Sequence, residues 1–249
     1  MATGFIDQVM TVDNRAVKYQ VYLPHDYTAE KEWPVLVFLH GAGERGENPL
    51  LATEVGLGSA IRKKPEHYPA IAVFPQCSED EWWSSEVCER IAFQSLKEVA
   101  KHYAIDTKRI YLTGISMGGY GSWHLASKQG DVWAAMYVIA GRVKPGGGHP
   151  PAQDSVAKLY SGEELYQMTA KSVAHIPTWI AHGAKDEVVP VTESRKMYQY
   201  LRQENANVNY TEFANTWHNS WDKAYANEAA ITWLFEQKKE QGVSFARHR

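Results

Sequence analysis

A serine between two glycines stands where an apolar run gives way to a run of helical character. Residues 114–118 read Gly-Ile-Ser-Met-Gly and follow the apolar residues 110–112. A strand that reverses into a helix within a few residues crowds the neighbours of its turn, and only glycine fits there. Such a turn strains the serine and presents its hydroxyl above the sheet edge. The pattern predicts that Ser116 is a nucleophile, although alone it also fits a glycine turn that opens an ordinary helix.

Two side chains downstream of Ser116 are suited to activate it. A serine hydroxyl needs a base to take its proton, and the base needs an acid to orient it. Hydrolases with this type of turn carry these groups in the order acid, then histidine. Asp186 follows the strand candidate 177–181, and His218 follows the strand-like run 208–213. Because parallel sheets build their sites just past such strand ends, the sequence predicts a catalytic triad of these three residues.

The choice of histidine follows from position. Three of the ten histidines lie at or beyond the end of the strand candidate 177–181. His248 lies in the polar C-terminal tail, where chains are usually poorly ordered. His182 precedes any acid at its strand end. His218 is therefore the candidate base.

Alternating strands and helices are needed to bring these residues together. Residues 5–12 and 17–23, joined by a turn at Asp13 and Asn14, predict an antiparallel edge. Continuous apolar runs, typical of parallel strands covered on both faces, lie at 35–39, 71–74, 110–112, 134–140 and 178–181. Helix candidates lie at 85–104, 119–129, 191–204 and 219–238. The sequence predicts an α/β fold with a doubly wound, mostly parallel sheet of about eight strands and an antiparallel N-terminal edge.

Taken together, the motifs resemble those of the α/β-hydrolases. Within that fold they are similar to compact esterases related to feruloyl esterases, dienelactone hydrolases and the prolyl-oligopeptidase-type catalytic domain. The resemblance spans about residues 20–235 and rests on segments 39–46, 75–76, 114–119, 182–183, 186–190 and 217–218. The glycine-rich loop and the serine turn are specific to the fold and not to one substrate, because this fold supports many reactions.

One segment interrupts the alternation of strands and helices. Residues 142–151 contain a cluster of glycine and proline that excludes regular helix and central strand. In the fold that the chain resembles, an insertion over the active site often follows the sixth strand. The sequence up to residue 171 is short for a large cap, so 142–171 is either a small flap or mobile loop over the site, or an exposed linker without a role. Otherwise residues 1–249 are expected to form a single α/β-hydrolase domain.

Two backbone N–H groups are candidates for an oxyanion hole. A tetrahedral intermediate carries a negative oxygen that needs preorganised donors. Met117 follows the nucleophile at the start of a helix, where unpaired N–H groups point outward. The second donor is expected at Ala42, in the glycine-rich loop after the third strand. Glu44 and Arg45 are expected to brace this loop by ion pairing, and His40 is expected to be structural.

Three tryptophans are candidates for binding substrate. Trp82 and Trp83 lie in an acidic loop after the strand candidate 71–74, and two adjacent indoles cannot both enter the same core. Trp217 precedes the candidate base His218. We expect Trp82 or Trp83, with Trp217, to form an aromatic wall that favours an aryl or short apolar group. The alternative is that these rings only brace loops.

The leading hypothesis is a serine hydrolase that cleaves carboxylic esters of small acyl or aryl groups through an acyl-enzyme. The same triad also serves peptide-bond cleavage, but peptidases of the prolyl-oligopeptidase type usually carry a large gating domain, which this chain has no residues to build. A third hypothesis is a catalytically silent hydrolase fold that binds a ligand. Ester cleavage by this route requires no metal and no organic cofactor.

The expected partner is the small-molecule ester substrate, and the oligomeric state stays open. A net charge of −3 and a pI near 6.4 give no argument for nucleic acid or an anionic membrane. No apolar stretch approaches the length of a membrane span, and the first residues do not resemble a secretory signal. We expect a cytoplasmic protein, although an exported one that has lost its signal would look the same. Cys77 and Cys88 flank one short loop, so a disulfide stays open beside the default of two free thiols.

Overall fold

The computed structural model describes residues 2–144 and 159–245. Within them, one sheet contains the strands β1 (Gly4–Val12), β2 (Arg15–Leu23), β3 (Trp33–Leu39), β4 (Ile71–Phe74), β5 (Ile105–Ile115), β6 (Ala135–Ile139), β7 (Thr178–Gly183) and β8 (Val208–Phe213). Their spatial order is β1-β2-β4-β3-β5-β6-β7-β8. The pairs β1–β2 and β2–β4 are antiparallel, and the remaining pairs are parallel. The predicted sheet of eight strands with an antiparallel N-terminal edge is confirmed.

Helices cover both faces of this sheet. They are α1 (Leu51–Glu54), α2 (Leu57–Lys63), α3 (Glu86–His102), α4 (Met117–Lys128), α5 (Gly162–Val173), α6 (Thr192–Gln203), α7 (Trp221–Tyr225) and α8 (Glu228–Glu236). Buried side chains of α3, α4, α5 and α6 belong to one core cluster, and those of α2, α7 and α8 belong to another. The strands between the two clusters are buried on both faces, which explains their continuous apolar sequences.

The N-terminal hairpin forms as its sequence predicts. Asp13 and Asn14 connect β1 and β2 with φ angles of 49° and 61°. Two consecutive residues with positive φ are the signature of the hairpin turn whose twist matches that of the flanking strands. Aspartate and asparagine tolerate this conformation better than other residues with a side chain.

The sequence predicts one C-terminal helix over 219–238, but the structure has two, α7 and α8. The prediction of a single helix is wrong. Between α7 and α8, Asn227 adopts extended backbone geometry, and its side-chain oxygen accepts a hydrogen bond from the N–H of Ala230. Asparagine is a preferred N-cap residue, so it stabilises the start of a second helix. Helices α1, α2 and α5 have no counterpart among the predicted elements.

The glycine- and proline-rich segment is described only in part. Residues 145–158 lie outside the described residues, so the flap around 142–171 stays a prediction. Its C-terminal part contains α5, which buries Leu165 and Val173 in the core. Within the described residues, no helix combines the length and the apolar character required to cross a bilayer.

Cys77 and Cys88 are free thiols in this structure. Both are fully buried, and their Sγ atoms are 2.8 Å apart. The default of two free thiols therefore agrees with the structure.

Candidate active site

Ser116 lies at the turn between β5 and α4, at the carboxyl edge of the sheet. Its backbone has φ 53° and ψ −114°, a conformation that costs a residue with a side chain roughly 1–3 kcal/mol. The N–H of Ser116 donates to the carbonyl of Ile139, at the end of β6, over 3.0 Å. The neighbouring strand therefore helps to hold the strained conformation, which is the geometry that the glycine-serine-glycine pattern predicted.

The glycines beside Ser116 are required by the contact between helix and sheet. A Cβ on Gly114 would lie 2.3 Å from the carbonyl oxygen of Gly118. A Cβ on Gly118 would lie 1.8 Å from the carbonyl oxygen of Leu39 in β3. Both distances are far below van der Waals contact, so α4 starts directly against the backbone of the sheet.

Asp186, His218 and Ser116 form a chain of hydrogen bonds. His218 Nε2 lies 2.9 Å from Ser116 Oγ, and His218 Nδ1 lies 2.7 Å from Asp186 Oδ2. Since a carboxylate can only accept, Nδ1 carries the proton and Nε2 accepts from the serine hydroxyl. The Asp186 side chain is fully buried, whereas His218 is partly exposed. The structure thus brings together the three residues that the sequence singled out.

Asp186 is held as a carboxylate by several donors. The N–H groups of Val188 and Val189 donate to Oδ1 over 2.9 and 2.8 Å. His182 Nε2 lies 3.1 Å from Oδ2, beside the bond from His218. Burial raises the pKa of Asp186, but the hydrogen bonds from His182, His218 and Val189 outweigh it and hold that pKa below its ordinary value. The carboxyl is therefore negatively charged at neutral pH.

The loop that carries His218 is fixed at both of its ends. Before it, the carbonyl of Thr216 accepts a hydrogen bond from the N–H of Lys185 over 3.0 Å. After it, two buried tyrosines hold the end of α7. The hydroxyl of Tyr137 in β6 donates to the carbonyl of Ala224 over 2.9 Å, and the hydroxyl of Tyr68, before β4, donates to the carbonyl of Tyr225 over 2.6 Å. The bond to Tyr225 O satisfies a carbonyl at the helix end, and Ala224 O also accepts from the N–H of Asn227 over 3.1 Å. The two tyrosine bonds anchor the short helix behind the histidine to the core.

The candidate oxyanion donors lie on the two elements next to Ser116. Met117 is the first residue of α4, and Ala42 opens a 3-10 turn directly after Gly41. Neither N–H donates a hydrogen bond within the part of the chain that the structure describes. Both therefore remain available to an oxygen in the site.

His40 controls the peptide unit that carries the Ala42 N–H. It is fully buried, and burial lowers its pKa to about 4, so the ring is neutral. Its Nδ1–H donates to the Gly41 carbonyl over 2.7 Å, and its Nε2 accepts from the N–H of Cys77 over 3.1 Å. Because a peptide unit is planar and trans, fixing the Gly41 carbonyl also fixes the direction of the Ala42 N–H. His40 is structural, as expected.

Arg45 braces the same loop through backbone carbonyls, and among the described residues it has no ion pair of the kind that the sequence suggested. Its Nε donates to the carbonyl of Ala42 over 3.0 Å, and a terminal nitrogen lies 3.4 Å from the carbonyl of Glu81. The carbonyl of Glu44 accepts from the Gln76 side chain over 2.7 Å. An arginine fork matches several acceptors at once, so backbone carbonyls replace the carboxylate partner.

The three candidate tryptophans have different environments. Trp83 is fully buried, and its indole N–H donates to the His40 carbonyl over 2.9 Å, so the expectation that it lines the pocket is corrected to a core position. Trp82 is half-buried beneath the guanidinium of Arg45, whose carbon lies 5.5 Å from the ring centroid. Trp217 is 54% exposed. Trp217 and part of Trp82 are therefore at the surface, whereas Trp83 is not.

His182 and Ser194 are the residues near the acid that sequence reasoning did not assign to the site. His182 precedes Asp186 in the chain, yet it bonds the same carboxylate oxygen as His218. Its partner Ser194 lies on α6 and bonds the other ring nitrogen. The only sequence signal was the spacing of four residues between His182 and Asp186 at the end of one strand.

A mostly parallel eight-stranded sheet with a strained serine at a strand-to-helix turn defines an α/β-hydrolase. The family model Esterase, described as "Putative esterase", matches residues 11–230. The chain belongs to this family.

Solved structures give the same fold. A thermostable esterase is 28% identical over 94% of this chain with a TM-score of 0.77, and this chain spans 63% of the length of that protein. A feruloyl esterase module from Clostridium thermocellum, complexed with sinapinate, is 16% identical, with 96% of this chain and 90% of that chain covered and a TM-score of 0.70. An S-formylglutathione hydrolase from Staphylococcus aureus is 19% identical, with 94% and 96% covered and a TM-score of 0.71. A search of curated proteins found no match.

Proposed function

We propose that the protein hydrolyses carboxylic esters of small acyl or aryl groups through a covalent acyl-enzyme on Ser116. The observation that carries this proposal is the chain of hydrogen bonds from Asp186 through His218 to a serine held at φ 53°. Membership of the esterase family supports the same reaction class.

In the first half of the reaction, Ser116 Oγ attacks the ester carbonyl carbon while His218 Nε2 takes the hydroxyl proton. The buried carboxylate of Asp186 stabilises the imidazolium that forms. His218 then gives the proton to the leaving alkoxide, and the alcohol departs. In the second half, water attacks the acyl carbon with His218 again as base, and the acid is released with Ser116 restored.

The backbone donors at Met117 and Ala42 are assigned to the oxyanion of each tetrahedral intermediate. Ala42 offers a direct test because its backbone can accept proline. It opens a 3-10 turn, and Gly41 before it has φ −77° and ψ 179°, the extended geometry that a residue before proline prefers. Proline at this position removes the N–H while the backbone path is retained.

Ala42→Pro is expected to lower kcat by about 10²–10³-fold, the usual effect of losing one oxyanion donor, with KM changed far less. Steady-state kinetics on a nitrophenyl ester measures both values. Ala42→Ser is the matched control, because serine retains the N–H and should keep near-normal kcat. If the proline variant turns over like the control, the second donor is not Ala42.

The aryl preference is proposed from two tryptophans. Trp217 is exposed beside His218, and Trp82 is half-buried beside Arg45, which itself bonds the Ala42 carbonyl. Exposed indole surface next to a reacting centre favours ring stacking, worth about 0.5–1.5 kcal/mol beyond area burial. The sinapinate complex of the feruloyl esterase module gives an aromatic acid as a ligand for this fold.

Trp217→Ala is expected to raise KM for a methyl hydroxycinnamate about 2–10-fold, corresponding to the loss of one aromatic contact, and to leave KM for an acetate ester nearly unchanged. Trp83→Ala is the contrasting variant, because this ring is in the core. It should lower the thermal unfolding midpoint and impair both substrates alike. An equal effect of Trp217→Ala on both esters would contradict an aromatic wall.

The competing activities are separated by one rate survey. It compares nitrophenyl esters of increasing chain length, a methyl hydroxycinnamate and a peptide anilide. An esterase prefers the esters by orders of magnitude, whereas a peptidase cleaves the anilide at a comparable rate. A silent binder turns over neither class and leaves Ser116 unlabelled by a fluorophosphonate probe.

A further inference from the structure

We propose that His182 and Ser194 are positioning residues that extend the hydrogen-bonded chain behind Asp186. This inference rests on the proposed catalytic triad and concerns the side of the acid that faces away from His218. It assigns a task to a histidine whose hydrogen bonds, among the described residues, go to Asp186, Val189 and Ser194.

The protonation of His182 follows from its partners. Its Nε2 lies 2.9 Å from the carbonyl of Val189, and its Nδ1 lies 2.6 Å from Ser194 Oγ. A carbonyl only accepts, so Nε2 carries the proton, and Nδ1 accepts the hydroxyl proton of Ser194. The same Nε2–H is shared with Asp186 Oδ2 at 3.1 Å. The acceptors at Val189 and Asp186 therefore keep the proton on Nε2, and Ser194 holds the other side of the ring through Nδ1.

The bond from His182 restrains the oxygen of Asp186 that bonds to His218. Two backbone N–H groups, those of Val188 and Val189, hold Oδ1 and leave the carboxylate free to pivot about that atom. Oδ2 receives only the two histidine donors among the described residues. His218 is partly exposed and must itself be oriented, so it is a poor anchor. His182 is fully buried and supplies the fixed second point.

Loss of this second point should affect the rate more than binding. His182 is fully buried, so KM has no direct reason to change. A carboxylate that pivots misaligns the base, and a small misplacement of a reacting group can cost about 10²-fold in rate. A side chain that only fills space would instead change stability and leave the kinetics of the folded enzyme unchanged.

Three substitutions separate these cases. His182→Leu fills the volume but removes both ring nitrogens. His182→Gln keeps an N–H donor near the position of Nε2. Ser194→Ala removes the hydroxyl that holds the far side of the His182 ring. Its matched control is Ser95→Ala, which deletes a fully buried serine hydroxyl on α3 whose one partner among the described residues is the carbonyl of Ala92.

The expected result is a fall in kcat of about 10–100-fold for His182→Leu and about tenfold for Ser194→Ala, with KM within about twofold of the wild type. His182→Gln should recover most of the lost kcat, and Ser95→Ala should keep wild-type kinetics. All variants are assayed on a nitrophenyl ester, well below their own unfolding midpoints. If the leucine variant does not fold, the comparison of Ser194→Ala with Ser95→Ala decides the matter.

The positioning role is overturned if Ser194→Ala keeps kcat within about twofold of Ser95→Ala while Ser116→Ala is inactive. It is also overturned if His182→Gln is as slow as His182→Leu, because retaining the donor should rescue the rate. If Ser116→Ala itself retains activity, the proposed catalytic function fails first, and the positioning role fails with it.

Discussion

Ser116→Ala and His218→Ala are each expected to lower kcat by about 10⁴–10⁶-fold while the fold stays intact. Residues that act as one unit give similarly large single losses, because removing either partner ends nucleophilic attack. Asp186→Asn should also be severe, since an amide at this position favours the wrong tautomer of His218. The measurement is kcat on a nitrophenyl ester, with the circular dichroism spectrum as evidence of folding.

The control for this prediction is a serine on α4, the helix that follows Ser116. Ser127 lies in the last turn of α4, where its hydroxyl bonds the carbonyl of Trp123 over 2.8 Å. Ser127→Ala should keep near-normal kcat and should be labelled by a fluorophosphonate probe as fully as the wild type. Ser116→Ala should not be labelled. Retention of more than a few per cent of kcat by Ser116→Ala would show that the nucleophile lies elsewhere.

The arrangement of Ser116, Asp186 and His218 was predictable because it depends on chain order and strand ends. The carboxyl ends of β5, β7 and β8 lie along the same edge of the sheet, so residues just past those ends must converge. Such an inference needs only the apolar runs and their order. It needs no knowledge of side-chain packing.

The positions of Trp83 and His182 depend on packing and were not predictable in this way. Trp82 and Trp83 are neighbours in one loop, and nothing local determines which indole enters the core. The deciding contacts come from elsewhere in the chain: the His40 carbonyl accepts the Trp83 N–H, and Gly121 leaves room for its side chain. His182 likewise acquires its partner Ser194 only when α6 packs against β7.

The break between α7 and α8 shows a third limit of the sequence. Residues 219–238 contain enough apolar positions to predict one helix. The hydrophobic pattern is insensitive to one residue with extended geometry, here Asn227. The capping role of Asn227 was readable in principle, since asparagine is a preferred N-cap. This capping preference opposes the periodic pattern, and in this segment the cap at Asn227 ends one helix and starts the next.

The contact between α4 and the sheet implies a large steric effect at Gly118. A Cβ at this position would lie 1.8 Å from Leu39 O and 2.4 Å from Leu39 C, both in the backbone of β3. A strand backbone at the centre of a sheet cannot move aside as a flexible side chain can. Helix α4 would have to retreat, and the N–H of Met117 and the strained turn at Ser116 would move with it. Gly43 is the opposite case, because no atom lies within 4 Å of a Cβ added there.

Gly118→Ala is expected to lower the free energy of unfolding by about 3 kcal/mol or more, because overpacking against rigid backbone lies at the upper end of such effects. In a protein of this size that loss corresponds to a fall of about 6–12 °C in Tm. Gly43→Ala makes the same chemical change in open space and should stay within about 0.5 kcal/mol of the wild type. Thermal and urea unfolding of the two variants side by side measure the difference. Equal midpoints would mean that α4 does not start against β3, and the geometry assigned to the nucleophile turn would fail with that contact.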